Sequence, residues 1–255
     1  MANSETRSFR VAIIGAGPAG IGAGHELLQQ GFKEFTIFDA LDAPGGTWHL
    51  HSYPGLACDV WAHSYSFSYA PNPEWSANFV EAAEIQSYLA RCASEFGLNP
   101  HMQLNTRVTA AHYQDNDTWL LQTSTGENHE FDVVINAMGN QHTPLYPNVP
   151  GMDSFTGESW HATRWNNDVD LTGKRVLIVG SAASAVQIVP EVAKIAGHLT
   201  TVEDINFLIA QNCLRKNHWR HIRSSPRAIN GKEAESRCWY SIEMAVRMRH
   251  EFVCL

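Results

Sequence analysis

The sequence has no apolar run long enough to cross a bilayer, no CxxC pair and few charges, with only 17% of its 255 residues being Asp, Glu, Lys or Arg. The missing run argues against a membrane span, and the apolar stretch near the N-terminus is broken by glycines, unlike a secretory leader. The five cysteines, Cys58, Cys92, Cys213, Cys238 and Cys254, are odd in number and scattered, which suits reduced thiols better than a disulfide frame. A cytoplasmic protein with no membrane contact is therefore expected. Cys213, His218, His221 and Cys238 match no standard metal-ligand spacing, so no metal is expected either. Low charge accompanies 44% hydrophobic residues, which is a globular balance and not that of a disordered chain. The net charge of −8 is uneven: residues 211–255 hold 9 of the 18 Lys and Arg and 4 of the 26 acids, leaving that tail at +5 and the rest at −13. No recognition motif accompanies the basic tail, and nucleic acid is not an expected partner.

What is present centres on Arg10–Gly24, RVAIIGAGPAGIGAG. Val11–Ile14 is a β-branched apolar run of the kind found in buried parallel strands, and it leads directly into Gly15, Gly17 and Gly20. Gly15 permits the tight turn, Gly17 leaves room for a pyrophosphate, and Gly20 lets the following helix, about Ala19 to Gln30, pack closely on the strand. That helix would aim its first amides and its positive dipole end at phosphates. A second strand, Phe35–Phe38, ends at Asp39, whose carboxylate is placed to accept from a ribose hydroxyl. Strand, glycines, helix, strand and acid in register point to a dinucleotide site.

Next comes a long loop rich in Gly, Pro, His and aromatics, in which Gly45 and Gly46 admit a close ligand, Trp48 could lie on a planar one, and Asp59 is the only carboxylate between Asp42 and Glu74. Phe79, Ala82, Ile85, Leu89, Cys92 and Phe96 predict a helix with a core-facing stripe, ending at Gly97. Val108–Tyr113, Thr118–Thr123 and Asp132–Ala137 read as strands, with turns at DND and TGEN between them. Residues 141–151 are proline-rich and read as a linker. Lys174–Val179, a helix from about Ala182 to Ala196 and a strand Leu199–Val202 form a second βαβ unit. Its glycine pattern is degraded: Gly180 holds the first position, while Ala182 and Ala185 occupy the second and third. Beyond Asn206 only a helix from Ser241 to Phe252 is suggested. The fold class expected is α/β, with two Rossmann-like βαβ units on parallel sheets, the second incomplete.

Two such units in series, joined by FTGESWHATRW with Phe155, Gly157, His161 and Trp165, resemble the class B flavin-dependent monooxygenases of the Baeyer-Villiger and N-hydroxylating kind. The family's FxGxxxHxxxW fingerprint is matched at every named position, with Asn166 where Pro or Asp follows. GGTW at Gly45–Trp48, YPGLACDV around Asp59, YSFSYAPNPEW and the NAMG strand end resemble the family too, so the likeness spans roughly Phe9 to Thr200.

The resemblance implies an FAD-binding domain over residues 1–140, a linker over 141–170, a partial NAD(P)-binding domain over 171–205 and a basic tail over 206–255. It places FAD against Gly15, Gly17, Pro18, Ala19, Gly20, Asp39, Gly46, Thr47, Trp48 and Asp59, and NADPH against Gly180, Ser181 and Ser184. It makes Asp59 the catalytic carboxylate beside the flavin, and Phe155, Gly157, His161 and Trp165 the hinge. The implied reaction is Baeyer-Villiger-like oxygen insertion or heteroatom oxygenation of a small organic substrate with dioxygen. Family members are much longer, so a C-terminally shortened chain with impaired activity is expected, and Asp59's arginine partner would lie beyond Leu255. Glu203, Asp204, Ile205 and Asn206 replace the QRTP whose arginine meets the 2′-phosphate, which admits NADH beside NADPH. A homo-oligomer or a partner subunit stays open. So do two other readings: a catalytically silent flavin-binding module, and a nonoxidative enzyme using Asp59 or His63 as general acid or base.

Overall fold

The structure, a computed structural model, describes residues 9–146, 152–202 and 252–254. It divides into two compact units, one formed by Met1–His51 with Cys58–Thr143 and the other by Ser52–Ala57 with Pro144–Leu255.

The first unit is built on a parallel sheet of order β3-β2-β1-β7, with β1 Val11–Ile14, β2 Phe35–Phe38, β3 Met102–Gln103 and β7 Val133–Asn136. β1 lies between β2 and β7 in register, Val11 opposite both Phe35 and Val133. Alternation along these strands decides what covers each face. Val11, Ile13, Phe35 and Ile37 face a core shared with Ile21 of α1 (Pro18–Gln29) and with Ile85, Tyr88, Leu89 and Cys92 of α3 (Ala82–Glu95). Ala12 and Phe38 face the other way, onto Leu121 and Phe131, with Phe38 edge-on to Phe131 at 5.8 Å. Each fully buried Ile or Phe here contributes about 1.5–3 kcal/mol by leaving water.

Among the described residues no helix covers that second face. An antiparallel sheet of order β4-β5-β6 covers it, with β4 Val108–Tyr113, β5 Trp119–Thr123 and β6 Asn128–Phe131. β6 corrects the expectation of a turn through Asn128, because the turn closes earlier, where Thr123 N–H donates to Glu127 O. NHEF gives no strand signal because it lies at the sheet's edge and only Phe131 is buried. Phe79 departs from its expected place in the helical stripe: α3 starts after Glu81 and Phe79 is half exposed. Gly97, at φ +74°, follows the helix as expected.

The second unit has a parallel sheet of order β10-β8-β9, with β8 Arg175–Val179, β9 His198–Val202 and β10 Phe252–Cys254. α4 (Ala183–Val192) connects β8 to β9 and is shorter than expected, with Ala193 capping it and Pro190 in its last turn. Of the expected tail helix, residues 241–251 lie outside the described residues, and Phe252 begins a strand instead, paired parallel with Arg175. Cys213, His218, His221 and Cys238 also lie outside them. Among the described residues no helix is long and apolar enough to cross a membrane, and no group of three or more His, Cys, Asp or Glu is gathered as for a metal.

Candidate functional site

The carboxyl ends of β1, β2 and β7 meet around the first glycine turn, where a parallel sheet with neighbours added on both sides of its first strand presents a ligand crevice. Gly15 has φ +111°, and a Cβ there would lie 2.4 Å from Ala137 O at the end of β7. A Cβ at Gly20 would lie 1.8 Å from Gly15 O, so only glycine lets α1 close onto the turn. Gly17 has an ordinary extended φ of −77°. A Cβ on it would meet Gly46 Cα at 3.4 Å, an ordinary contact, whereas a Cβ on Gly46, at φ +57°, would lie 2.8 Å from Gly17 Cα.

Hydrogen bonds clamp the same turn. Gly15 N–H donates to Phe38 O (2.8 Å), and Gly45 N–H donates to Ala16 O (3.0 Å). Ala16 N–H donates to Asp39 Oδ2 at 2.6 Å, while Leu41 N–H donates to Asp39 Oδ1 at 2.8 Å. Each oxygen of this carboxylate, expected to meet a ribose hydroxyl, accepts one backbone proton and keeps further lone-pair capacity. Pro18, first in α1, has no N–H and contributes its fixed φ, and among the described residues the first-turn amides of Ala19 and Gly20 have no acceptor outside the helix.

Gly46 caps α2 (Thr47–Leu50), with Thr47 as its first residue. Trp48 donates its indole N–H to Tyr65 Oη at 3.0 Å, the rings edge-on at 5.5 Å. Burial pushes the Tyr65 hydroxyl pKa up, against the opposing effect of the Trp48 hydrogen bond. Tyr88, with its pKa pushed up to about 12 by burial, pins the aromatic loop by accepting from Phe67 N–H and donating to Ala70 O, both 2.8 Å. Asp59 is exposed and carries no hydrogen bond among the described residues, so nothing in this geometry ties it to the glycine turn.

In the second unit Gly180 repeats the strained turn, at φ +119°, but nothing lies within 4 Å of a Cβ built on it. Ser181 follows, and Ala182 caps α4 with φ −75° and ψ −175°, nearly the −77° and −172° of Gly17. Ser184 Oγ donates to Tyr53 Oη at 3.3 Å. His161 Nδ1 accepts from Thr163 N–H (3.1 Å), and burial, with a smaller push from Arg164, holds its pKa below the ordinary histidine value. Trp165 lies edge-on to Trp160 at 5.7 Å. Phe155 and Gly157 are half-buried nearby in sequence. The structure thus gathers Gly15, Gly17, Gly20, Asp39 and Gly46 at one turn, with Gly180, Ser181 and Ser184 at another. Tyr65, Tyr53 and Gln187 were not singled out as site residues; Tyr53 stood inside the YPG motif, while Gln187 had only its place on the helix.

Two parallel-sheet units, each with a glycine turn feeding a helix N-terminus, define a protein built to hold dinucleotides. The flavin-binding monooxygenase-like family matches residues 8–204, and the chain belongs to that family. A Baeyer-Villiger monooxygenase of Streptomyces coelicolor is 42% identical over 192 residues, covering 75% of this chain and 37% of that protein. The OTEMO complex with FAD and NADP superposes with a TM-score of 0.70 at 34% identity, covering 77% of this chain and 39% of that one. Cyclohexanone monooxygenase from Rhodococcus sp. Phi1 bound to NADP+ gives 0.68 at 34%, covering 76% and 37%. The chain therefore spans less than two fifths of the length of these relatives.

Proposed function

We propose that the protein is an FAD- and NADPH-dependent monooxygenase that delivers one oxygen atom of dioxygen to a small organic substrate, in the Baeyer-Villiger manner or at a heteroatom. The observation that carries this reading is the first glycine turn, where backbone from β1, β7 and the Gly45–Gly46 loop converges so tightly that three glycines cannot carry a side chain, within a family match over most of the chain. In this reading residues 1–140 hold FAD, 141–170 link, 171–205 hold the nicotinamide nucleotide and 206–255 form a basic tail.

The groups present suit those cofactors. The amides of Gly17, Ala19 and Gly20 at the start of α1 offer donors and a positive dipole end to a diphosphate. Asp39 keeps acceptor capacity for a ribose hydroxyl while its present hydrogen bonds hold the turn. Thr47 opens the short helix beside that turn, and Trp48, oriented by Tyr65, walls a planar ring. Gly180, Ser181 and Ser184 would receive the second diphosphate at α4. Held by the residues of the first turn, FAD would supply the redox chemistry that links the nicotinamide to dioxygen. The chain's own part is to bind, align and keep water away. Asp59 is assigned to the flavin side as the reacting carboxylate, and a homo-oligomer or partner subunit belongs to the same reading.

The test is direct. Purified protein should carry a yellow chromophore that NADPH bleaches without air and oxygen restores, with NADPH or NADH oxidation, peroxide release and product followed together. A colourless protein that takes up no added FAD would overturn the reading. Light scattering on the same sample reads the oligomeric state.

A further inference from the structure

Ser52–Ala57 follows the Gly45–His51 segment directly in sequence, yet it packs as part of the second unit. Gly55, at φ +76°, lies so close to α4 that a Cβ there would be 2.6 Å from Gln187 O. This contact presses the strap onto the backbone of the helix and fixes the height of Tyr53 above it. Tyr53 is 7% exposed. Its hydroxyl accepts from Ser184 Oγ at 3.3 Å and donates to Gln187 Oε1 at 3.2 Å, and Gln187 Nε2 returns a hydrogen bond to Ala57 O at 2.8 Å. Ser184 and Gln187 are three residues apart and share one face of α4, so one phenol reaches both.

Proton bookkeeping gives this network a direction. As placed, the single Tyr53 proton goes to Gln187 and the Ser184 proton goes to Tyr53. Without moving a heavy atom, both hydroxyls can rotate so that Tyr53 donates to Ser184 Oγ and Ser184 donates outward to an anion at the start of α4. Each bond in such a series polarises the next. We propose that Tyr53 is a positioning residue for the second nucleotide site, holding the Ser184 hydroxyl ready to donate to the diphosphate of NADP. This rests on the reading of that unit as the nicotinamide-nucleotide site.

The test is a double-mutant cycle on NADP+ affinity, measured by calorimetry on the flavin-loaded protein, with thermal midpoint and flavin content recorded for each variant. Ser184→Ala should weaken NADP+ about tenfold and Tyr53→Phe about fivefold, the range of one hydrogen bond to a charged chain. The double variant should be no weaker than Ser184→Ala alone, because Tyr53 acts through Ser184. Additive losses, or a Tyr53→Phe protein that binds like wild type, would overturn the inference. Should Tyr53→Phe fail to fold, hydrogen exchange of the peptide spanning 52–57 replaces it. NADP+ should slow that exchange in wild type and do so much less in Ser184→Ala, and equal slowing in both overturns the inference. Wild-type protein that binds FAD but not NADP+ overturns the underlying reading of the second unit, and this inference with it.

Discussion

The two glycine turns share a backbone and differ in what surrounds it. Gly17 and Ala182 cap their helices with nearly the same dihedrals, and Gly15 and Gly180 both take a positive φ. At the first turn, Ala137 O and Gly15 O leave no room for a Cβ on Gly15 or Gly20, while at the second nothing among the described residues stands within 4 Å of a Cβ on Gly180. At the middle position a Cβ on Gly17 would make an ordinary 3.4 Å contact with Gly46 Cα, and it is Gly46, at φ +57°, that has no room for one. The second turn carries Ala182 and Ala185 at the middle and third positions, where the first carries Gly17 and Gly20.

The largest effect expected from this contrast is at the third position. Gly20→Ala should cost roughly 3 kcal/mol or more, since its methyl would overlap a backbone oxygen that cannot rotate away. Ala185→Gly should cost no more than about 1 kcal/mol, the helix-propensity difference. Thermal denaturation of both variants checks the pair, and equal losses would break the comparison.

At the middle position Gly17→Val should abolish flavin retention by displacing Gly46, with a loss of roughly 1–3 kcal/mol in stability. Ala182→Gly should leave flavin content unchanged and tighten NADP+ a few-fold by letting the diphosphate closer. Flavin absorbance and NADP+ titration read the two outcomes separately.

A smaller effect separates the units by pH. His161 has a lower pKa in the fold than in the unfolded chain, first because it is partly buried and then because Arg164 is near. Between the two values the unfolded chain binds more protons, so the contribution of His161 is complete above the ordinary value of 6.5 and is lost as pH falls through the folded value. Protonation would also remove the Nδ1 acceptor for Thr163 N–H. His161→Gln should flatten the stability profile on the acid side of that value, as chemical denaturation from pH 5 to 8 would show; an unchanged slope would count against the assignment.

The smallest effect belongs to Arg10, paired with Glu130 at 3.1 Å and Asp132 at 3.3 Å at the edge of the first unit. Arg10 and Glu130 are each about half exposed, whereas the Asp132 side chain is only 4% exposed; because Asp132 keeps its 2.8 Å hydrogen bond from the residue-10 backbone N–H, Arg10→Ala should cost about 1 kcal/mol. A loss comparable to that of Gly20→Ala would mean that the first unit is held at its edge and not at its turn.

Residue pattern alone was enough for β1, the glycine turn, α1, β2 and the second βαβ unit, because strand alternation, helical period and positive-φ glycines are local constraints written within about 30 residues. It also carried the family likeness, through motifs such as GGTW and FxGxxxHxxxW that the family match confirms. Folding was needed to show that the Asp39 carboxylate holds Ala16 and Leu41, that Gly46 has no room for a side chain against Gly17, that an antiparallel sheet covers the second face, and that Ser52–Ala57 packs on α4. Each of these depends on which distant backbone arrives within about 3 Å of a residue. Residue pattern records burial and local conformation, and it leaves the partner across a turn or a helix unnamed until the chain has folded.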